Sequence, residues 1–335
     1  MPTIHDVAKR AGVAPITVSR VINNSGYFSQ ETRESVEAAI SELGYVPNTL
    51  ARSLRLKRTN TLALIVSDIT NPFFTTLARG VEDTASDMGF TVILCNTDES
   101  EKEEQKYLQM LLQKQVDGIL LVPSYSKPDS IEMVQKHGTP LVVIDRSVPG
   151  AMVDVVRGDS EGGAYQLTRL LLSLGHRRIA MLSGRKEVST AVDRVAGYRR
   201  AMKESGYGES EQCIIYGEYN QASGYDMTRS ILHEPLRPTA MIAANNFISI
   251  GALKALQDAG MRVPEDISLV AFDDLPPALV IFPFFTVAAQ PSYEMGRQAT
   301  NLLVARLNGQ PSQQFKEIVL PVEIIVRKSS GPALN

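Results

Sequence analysis

Apolar residues follow a helical spacing over the first fifty positions of the chain and a strand–helix alternation after that. Ile4, Val7, Ala8 and Ala11 fall on one helical face, Gly12 interrupts, and Val13, Ile16 or Thr17, Val18, Val21 and Ile22 resume a second face. Two short helices joined by a glycine-containing turn predict a helix-turn-helix, whose second helix can enter a DNA major groove. Asn23 to Gly26 reads as a turn. Ser29 then caps a third helix, with Glu31 in its first turn and Val36, Ala39, Ile40 and Leu43 facing inward. Gly44 ends that helix and Pro47 prevents its resumption, which predicts a three-helix headpiece. The stretch from Asn48 to Lys57 is small, leucine-rich and basic, and too short to be stably helical as a free peptide.

From Thr61 the pattern changes. Buried-strand runs are expected at Leu62 to Ser67, Phe90 to Cys95, Gly118 to Val122 and Leu141 to Asp145, with helices over Phe73 to Met88, up to Gln115, and near Pro128 to His137. A second set begins near Asp159, with strands at Ile179 to Leu182, Cys213 to Tyr216, Ala240 to Ala243 and Ile267 to Phe272. Ser292 to Leu307 reads as a helix, followed by strands near Lys316 to Leu320 and Glu323 to Arg327. Two sets of βα units predict an α/β body of two doubly wound lobes with parallel sheets, where ligands sit outside the carboxyl ends of the strands.

A length of 335 residues suggests two or three domains, and 44% hydrophobic residues suffice for sizeable cores. No apolar run approaches a membrane span and no secretory signal is legible, so a cytoplasmic protein is expected. Cys95 and Cys213 lie far apart in apolar runs and read as buried free thiols of a reducing compartment. The net charge of −3 does not suggest nucleic acid, but its distribution does. Residues 1–60 hold eight Lys and Arg against five acids, a basic head on an acidic body.

Enzyme motifs are missing: there is no GxSxG, HExxH or P-loop, and the four histidines lack metal-ligand spacing. Neither a metal nor a cofactor is expected. Asp145 and Asp273 could form a carboxylate pair, but the arginine next to Asp145 is expected to hold its pKa down and oppose a general-acid role.

The string Val13-Ala14-Pro15-Ile16-Thr17-Val18-Ser19-Arg20-Val21-Ile22-Asn23 resembles the recognition helix of the LacI/GalR family of bacterial transcription regulators, whose pattern is Val-Ser-x-x-Thr-Val-Ser-Arg-Val-Ile-Asn. The likeness covers essentially the whole chain and is greatest to the ribose operon repressor branch. It implies a helix-turn-helix headpiece over 1–47, a hinge helix or linker over 48–59, and a two-lobed, periplasmic-binding-protein-like body over 60–330. The N-lobe would take about 60–160 and 291–320, and the C-lobe about 161–289 and 321–330. The chain would cross between lobes near Asp159 to Gly162, Ala288 to Pro291 and Leu320 to Val322.

The resemblance also implies roles. Thr3, Thr17, Ser19, Asn23 and Ser29 fall at DNA-contacting positions, mostly to phosphate, and Arg20 at one that reaches a guanine edge. Pro15 and Ile16 occupy the positions that vary between operators, and their side chains offer only apolar contact. Ala14 replaces the usual capping serine, with Pro15 in partial compensation. Leu54 stands where a hinge leucine wedges between central base pairs. In the body, Asn71, Phe73, Phe74, Asp145, Arg146, Arg194, Tyr219, Asn245, Asp273 and Gln290 match the sugar pocket of ribose-type regulators. There, charged groups bind vicinal hydroxyls and aromatic faces cover the ring. Asn246 stands where aspartate is commoner, which is expected to weaken a helix N-terminal charge interaction.

The implied protein is an allosteric, sugar-responsive repressor that acts as a homodimer on palindromic double-stranded operator DNA, without contact to a membrane. No C-terminal heptad suggests a tetramer. A purine-responsive regulator of the same family, and a sugar-binding transport component, are the alternatives.

Overall fold

The computed structural model describes residues 2–46, 58–208, 212–276, 282–309 and 314–333. The chain divides into two compact units, Met1–Thr59 and Asn60–Asn335.

In the first unit, α1 (Ile4–Ala11) opens with a reciprocal cap: Thr3 Oγ1 accepts the Asp6 amide and Asp6 Oδ2 accepts the Thr3 amide at 2.8 Å. Gly12, at φ 68°, ends it in the left-handed conformation that glycine adopts without strain. The second helix, α2 (Pro15–Ile22), starts without a side-chain cap because Ala14 has no acceptor, and Pro15 supplies the preset φ at its first position. Ser29 caps α3 (Gln30–Leu43) by accepting the Thr32 amide at 3.1 Å. Val7, Ala8, Val18, Val21, Val36 and Ala39 form the core. Each buried valine contributes roughly 1.5–3 kcal/mol.

The second unit has two lobes of one design. The N-terminal lobe runs β1 (Thr61–Val66), α4 (Pro72–Asp87), β2 (Thr91–Asn96), α5 (Glu101–Gln113), β3 (Gly118–Leu121), α6 (Asp129–Lys136), β4 (Leu141–Ile144) and β5 (Asp154–Gly158). The C-terminal lobe runs α7 (Ser160–Ser173), β6 (Ile179–Ser183), α8 (Ser189–Glu204), β7 (Cys213–Tyr216), α9 (Gln221–Leu232), β8 (Ala240–Ala243), α10 (Asn246–Asp258), β9 (Ser268–Phe272) and β10 (Thr286–Ala289). Then α11 (Ser292–Leu307) and β11 (Glu317–Leu320) return to the first lobe, and β12 (Glu323–Ile325) to the second.

The strand orders are β11-β5-β4-β3-β1-β2 and β12-β10-β9-β8-β6-β7. The first sheet is parallel throughout, with Leu64 opposite Leu94 and Leu120. In the second, β12 alone runs antiparallel, pairing Ala288 with Ile324. The backbone therefore passes between lobes at residue 159, at 290–291 and at 321–322. The return helix packs closely on α4: a Cβ on Gly80 would lie 2.1 Å from the Tyr293 carbonyl, and one on Gly296 2.2 Å from that of Leu77.

Two strands, β5 and β10, have no counterpart in the sequence reading, and β12 stops at Ile325 rather than Arg327. The run of β5 is broken by Asp154 and Arg157. Asp154 is nonetheless buried, its carboxylate held by Arg306 at 2.7 and 2.8 Å and by the Lys316 amide at 2.7 Å. Small residues make β10 too weakly apolar to stand out. Cys95 is buried as expected, but Cys213, on the edge strand β7, is only half-buried; both are free thiols.

Candidate functional site

The carboxyl ends of the two sheets face one another across a cavity of about 260 Å³ lined from both lobes. All ten body residues singled out from the sequence line it. Asn71 caps α4 by accepting the Phe73 amide at 3.0 Å, which sets Phe73 and Phe74 at the first turn with their rings edge to face, 5.0 Å apart. Asp145 follows β4 and Asp273 follows β9, equivalent strands of the two lobes, and both hold left-handed backbone, φ 67° and 66°. Such conformations in residues other than glycine gather at functional sites. Two close approaches shape the cavity. A Cβ on Gly184 would lie 2.1 Å from Tyr219 Cζ, and one on Gly158 2.1 Å from Gln290 Oε1.

Seven further residues line the cavity that sequence reasoning missed: Asp68, Asp98, Glu99, Arg185, Thr190, Glu218 and Asn220. Their signal was position, since Asp68, Asp98 and Glu99 follow β1 and β2, and Glu218 and Asn220 follow β7. In total six carboxylates and three guanidiniums line the cleft.

The ion pairs differ from those the sequence order suggests. Arg146 turns away from Asp145, its Nε 3.8 Å from Asp145 Oδ2, and makes a two-pronged contact with Glu99 plus a 2.9 Å bond to the Pro123 carbonyl. Arg194 donates to the Ala244 carbonyl and to Ser160 Oγ, with its guanidinium 4.1 Å above the Phe272 ring. Asp273 Oδ1 accepts from Gln290 Nε2 at 2.7 Å. Burial pushes the Asp145 carboxyl up to about 6, outweighing the nearby Arg146 and Arg194. This corrects the expectation that the adjacent arginine would hold it down: Arg146 does pull it down, but the cost of burying the charge is larger. Burial also raises Asp273, against the pull of Arg194 and Gln290.

Asp145 Oδ1, Arg146 Nε and Gln290 Oε1 are buried without a hydrogen-bond partner. The carboxylates and guanidiniums that line the cavity, beside aromatic faces, fit a compact polyol. Asn246, at the first position of α10, donates to Asn71 Oδ1 at 2.9 Å from the opposite lobe.

On the headpiece, Ile16 and Arg20 are exposed while Pro15, Thr17 and Ser19 are half-buried, so α2 presents an outer face with an apolar residue and a guanidinium. Asn23 Nδ2 donates to the Ser19 carbonyl at 2.6 Å. Thr3 and Ser29 are exposed cap residues at the starts of α1 and α3. Leu54, and the hinge expected over 48–59 apart from its last two residues, lie outside the described residues. The turn before α3 carries Tyr27, 93% exposed, which sequence reasoning passed over because no periodicity marks it.

Among the described residues no helix is long and apolar enough to cross a membrane, and no cluster of His, Cys, Asp or Glu could hold a metal ion.

Residues 3–48 match the bacterial regulatory proteins of the lacI family, and residues 59–323 match the periplasmic binding proteins and sugar binding domain of the LacI family. The chain is 37% identical over 335 residues to the ribose operon repressor of Halalkalibacterium halodurans, covering 100% of this chain and 99% of that one. Among solved structures, a LacI family transcriptional regulator from Enterococcus faecium with bound ribose is 32% identical with a TM-score of 0.74, covering 82% of this chain and all of that one. The lac repressor dimer bound to operator and an anti-inducer is 27% identical with a TM-score of 0.87, covering 98% and 99%.

Proposed function

The chain belongs to the LacI family of bacterial regulatory proteins, and from that premise we propose that it is a cytoplasmic, homodimeric repressor whose affinity for a palindromic operator is set by a ribose-like sugar held between its lobes. The observation that carries the effector reading is one small cavity in which Asp145, Asp273, Arg146 and Arg194 stand beside Phe73, Phe74 and Tyr219. Vicinal hydroxyls donate to the carboxylates and accept from the guanidiniums, while ring C–H faces pack on the aromatics. The ribose-bound relative supports this choice of class.

Because both lobes contribute, a bound sugar favours their closed arrangement, and this differential affinity is what shifts a population. On DNA, Arg20 reads a guanine edge and Ile16 and Pro15 make apolar contact, with thymine methyls as suitable partners. Leu54 supplies the wedge that kinks the operator. The raised carboxyl of Asp145 removes the argument against catalysis made from its neighbour; the reading as a binder rather than an enzyme rests on the headpiece and the family.

Calorimetric titration with pentoses, hexoses and purines, followed by operator binding with and without the sugar that binds, tests the proposal. A pentose is expected to bind and to change operator affinity. Binding of a purine and of no sugar at millimolar concentration overturns the effector assignment, and a sugar that leaves operator affinity unchanged overturns the coupling.

A further inference from the structure

The connection from β6 to α8 in the C-terminal lobe meets the loop after β3 in the N-terminal lobe at one edge of the cleft. Helix α8 begins at Ser189 behind Val188, which has no side-chain acceptor to offer. The Ser189 amide instead donates to Ser126 Oγ of the other lobe at 3.0 Å, and Ser189 Oγ accepts the Ser147 amide, also of that lobe, at 2.9 Å. Beside it, Arg185 is held at Nε by Glu218 of its own lobe. Its Nη1 reaches across to Tyr125 Oη at 2.9 Å and the Glu99 carbonyl at 3.2 Å, with the guanidinium 5.3 Å from the Tyr125 ring. Neither Tyr125 nor Ser126 lines the cavity.

A helix start leaves its first amides without partners inside the helix, and a serine oxygen is among the best groups to accept one. Here that oxygen comes from the opposite lobe, so α8 has this protein acceptor only while the lobes stay together. The same helix carries Thr190, which shares a hydrogen bond with the Tyr219 hydroxyl at 3.1 Å, and Arg194, and both line the cleft.

We propose that Tyr125 and Ser126 are positioning residues for effector binding: from the other lobe Ser126 caps α8 and Tyr125 holds Arg185 in the connection before it, which keeps Thr190 and Arg194 over the ligand and slows its release. The inference rests on reading the cleft as the effector site. The clasp is formed without ligand and closes again behind it, so its loss speeds release and does not slow entry.

The test uses the full chain, D-ribose as probe, and the variants Ser126→Ala, Tyr125→Phe and Ser126→Thr. Stopped-flow release of ribose should be about five- to tenfold faster in Ser126→Ala and faster in Tyr125→Phe. Association should not slow, melting temperature should fall by no more than about 3 °C, and sugar-free operator affinity should be unchanged. Ser126→Thr, which keeps the hydroxyl, should restore slow release. Unchanged release in both deletions, or an equal loss in association, overturns the proposal. Hydrogen exchange at the Ser189 amide, read without sugar, decides the clasp even if ribose does not bind. Protection in the wild type that falls in Ser126→Ala supports it, and an unprotected wild-type amide overturns it. Failure of ribose to bind therefore counts against the choice of effector and not against the clasp.

Discussion

Replacing Asp145 by asparagine should make the unliganded protein more stable while leaving it unable to hold its effector. In the native body the carboxyl sits at about 6 against an ordinary value of 3.8, because burial outweighs the attraction of Arg146 and Arg194. The native state therefore binds the proton more tightly than the unfolded chain does. The penalty is absent below about pH 4, grows as pH rises to about 6, and is constant above. At about 1.4 kcal/mol per pH unit, ionised Asp145 costs about 3 kcal/mol at neutral pH. With unfolding entropy of about 2.1 cal/mol/K per residue over a body of this size, that is about 5 °C in melting temperature. Thermal melts of wild type and Asp145→Asn at pH 4 and pH 8 should coincide at the lower pH and separate by about this amount at the higher, the variant melting later. Sugar should close most of the gap at the higher pH. At a hundred times its dissociation constant a ligand adds about 2.7 kcal/mol to the wild type and nothing to the variant. A gap of equal size at both pH values, or a variant that melts earlier at pH 8, would show that the carboxylate is satisfied within the protein and has no ligand to await.

Arg20→Ala should cost about 1–3 kcal/mol on the specific operator and relax preference at one base pair per half-site, read by competitive binding to operator variants; equal loss on random DNA would reduce Arg20 to a phosphate contact. Gly184→Ala puts a methyl 2.1 Å from Tyr219 Cζ, so the ring must shift, at about 1–3 kcal/mol of stability. Sugar affinity should fall with it, as calorimetry beside a melt would register. Because carboxylates outnumber guanidiniums six to three along the cleft, ribose 5-phosphate should bind at least about a hundredfold more weakly than ribose in parallel titrations.

Much of the cleft was legible because a doubly wound sheet places its ligand residues by rule, just past the strands. Asn71, Asp145 and Asp273 stand where that rule puts them, and the family resemblance is what picks them out from other strand-end residues such as Asp68 and Glu99. What escaped depends on contacts between residues far apart in the chain. Arg146 bonds Glu99, 47 positions earlier, more closely than the aspartate beside it, and burial outweighs its pull on Asp145, so the titration of Asp145 could not be inferred from its neighbour. Asn246 meets Asn71 across 175 residues, and no local pattern announces that bond. Strand β5 was hidden by Asp154 and Arg157, whose charges are answered by Arg306 and Glu317 only after the chain has returned to the first lobe.

The threefold passage of the backbone between lobes sets an order on synthesis. A nascent chain completes the amino-terminal half of its body last in one respect: α11 must pack on α4, and β11 must pair with β5, after most of the other lobe has left the ribosome. Until then the edge of β5 and the face of α4 stand uncovered, and such surfaces invite aggregation. A stop codon just past residue 290 would take both α11 and β11 from the lobe that was begun first, and from the one begun second the short β12 and the tail in which Arg327 pairs with Asp274 and Ser329 bonds Leu269. Damage written at the end of the gene would thus fall mainly on the lobe encoded at its start.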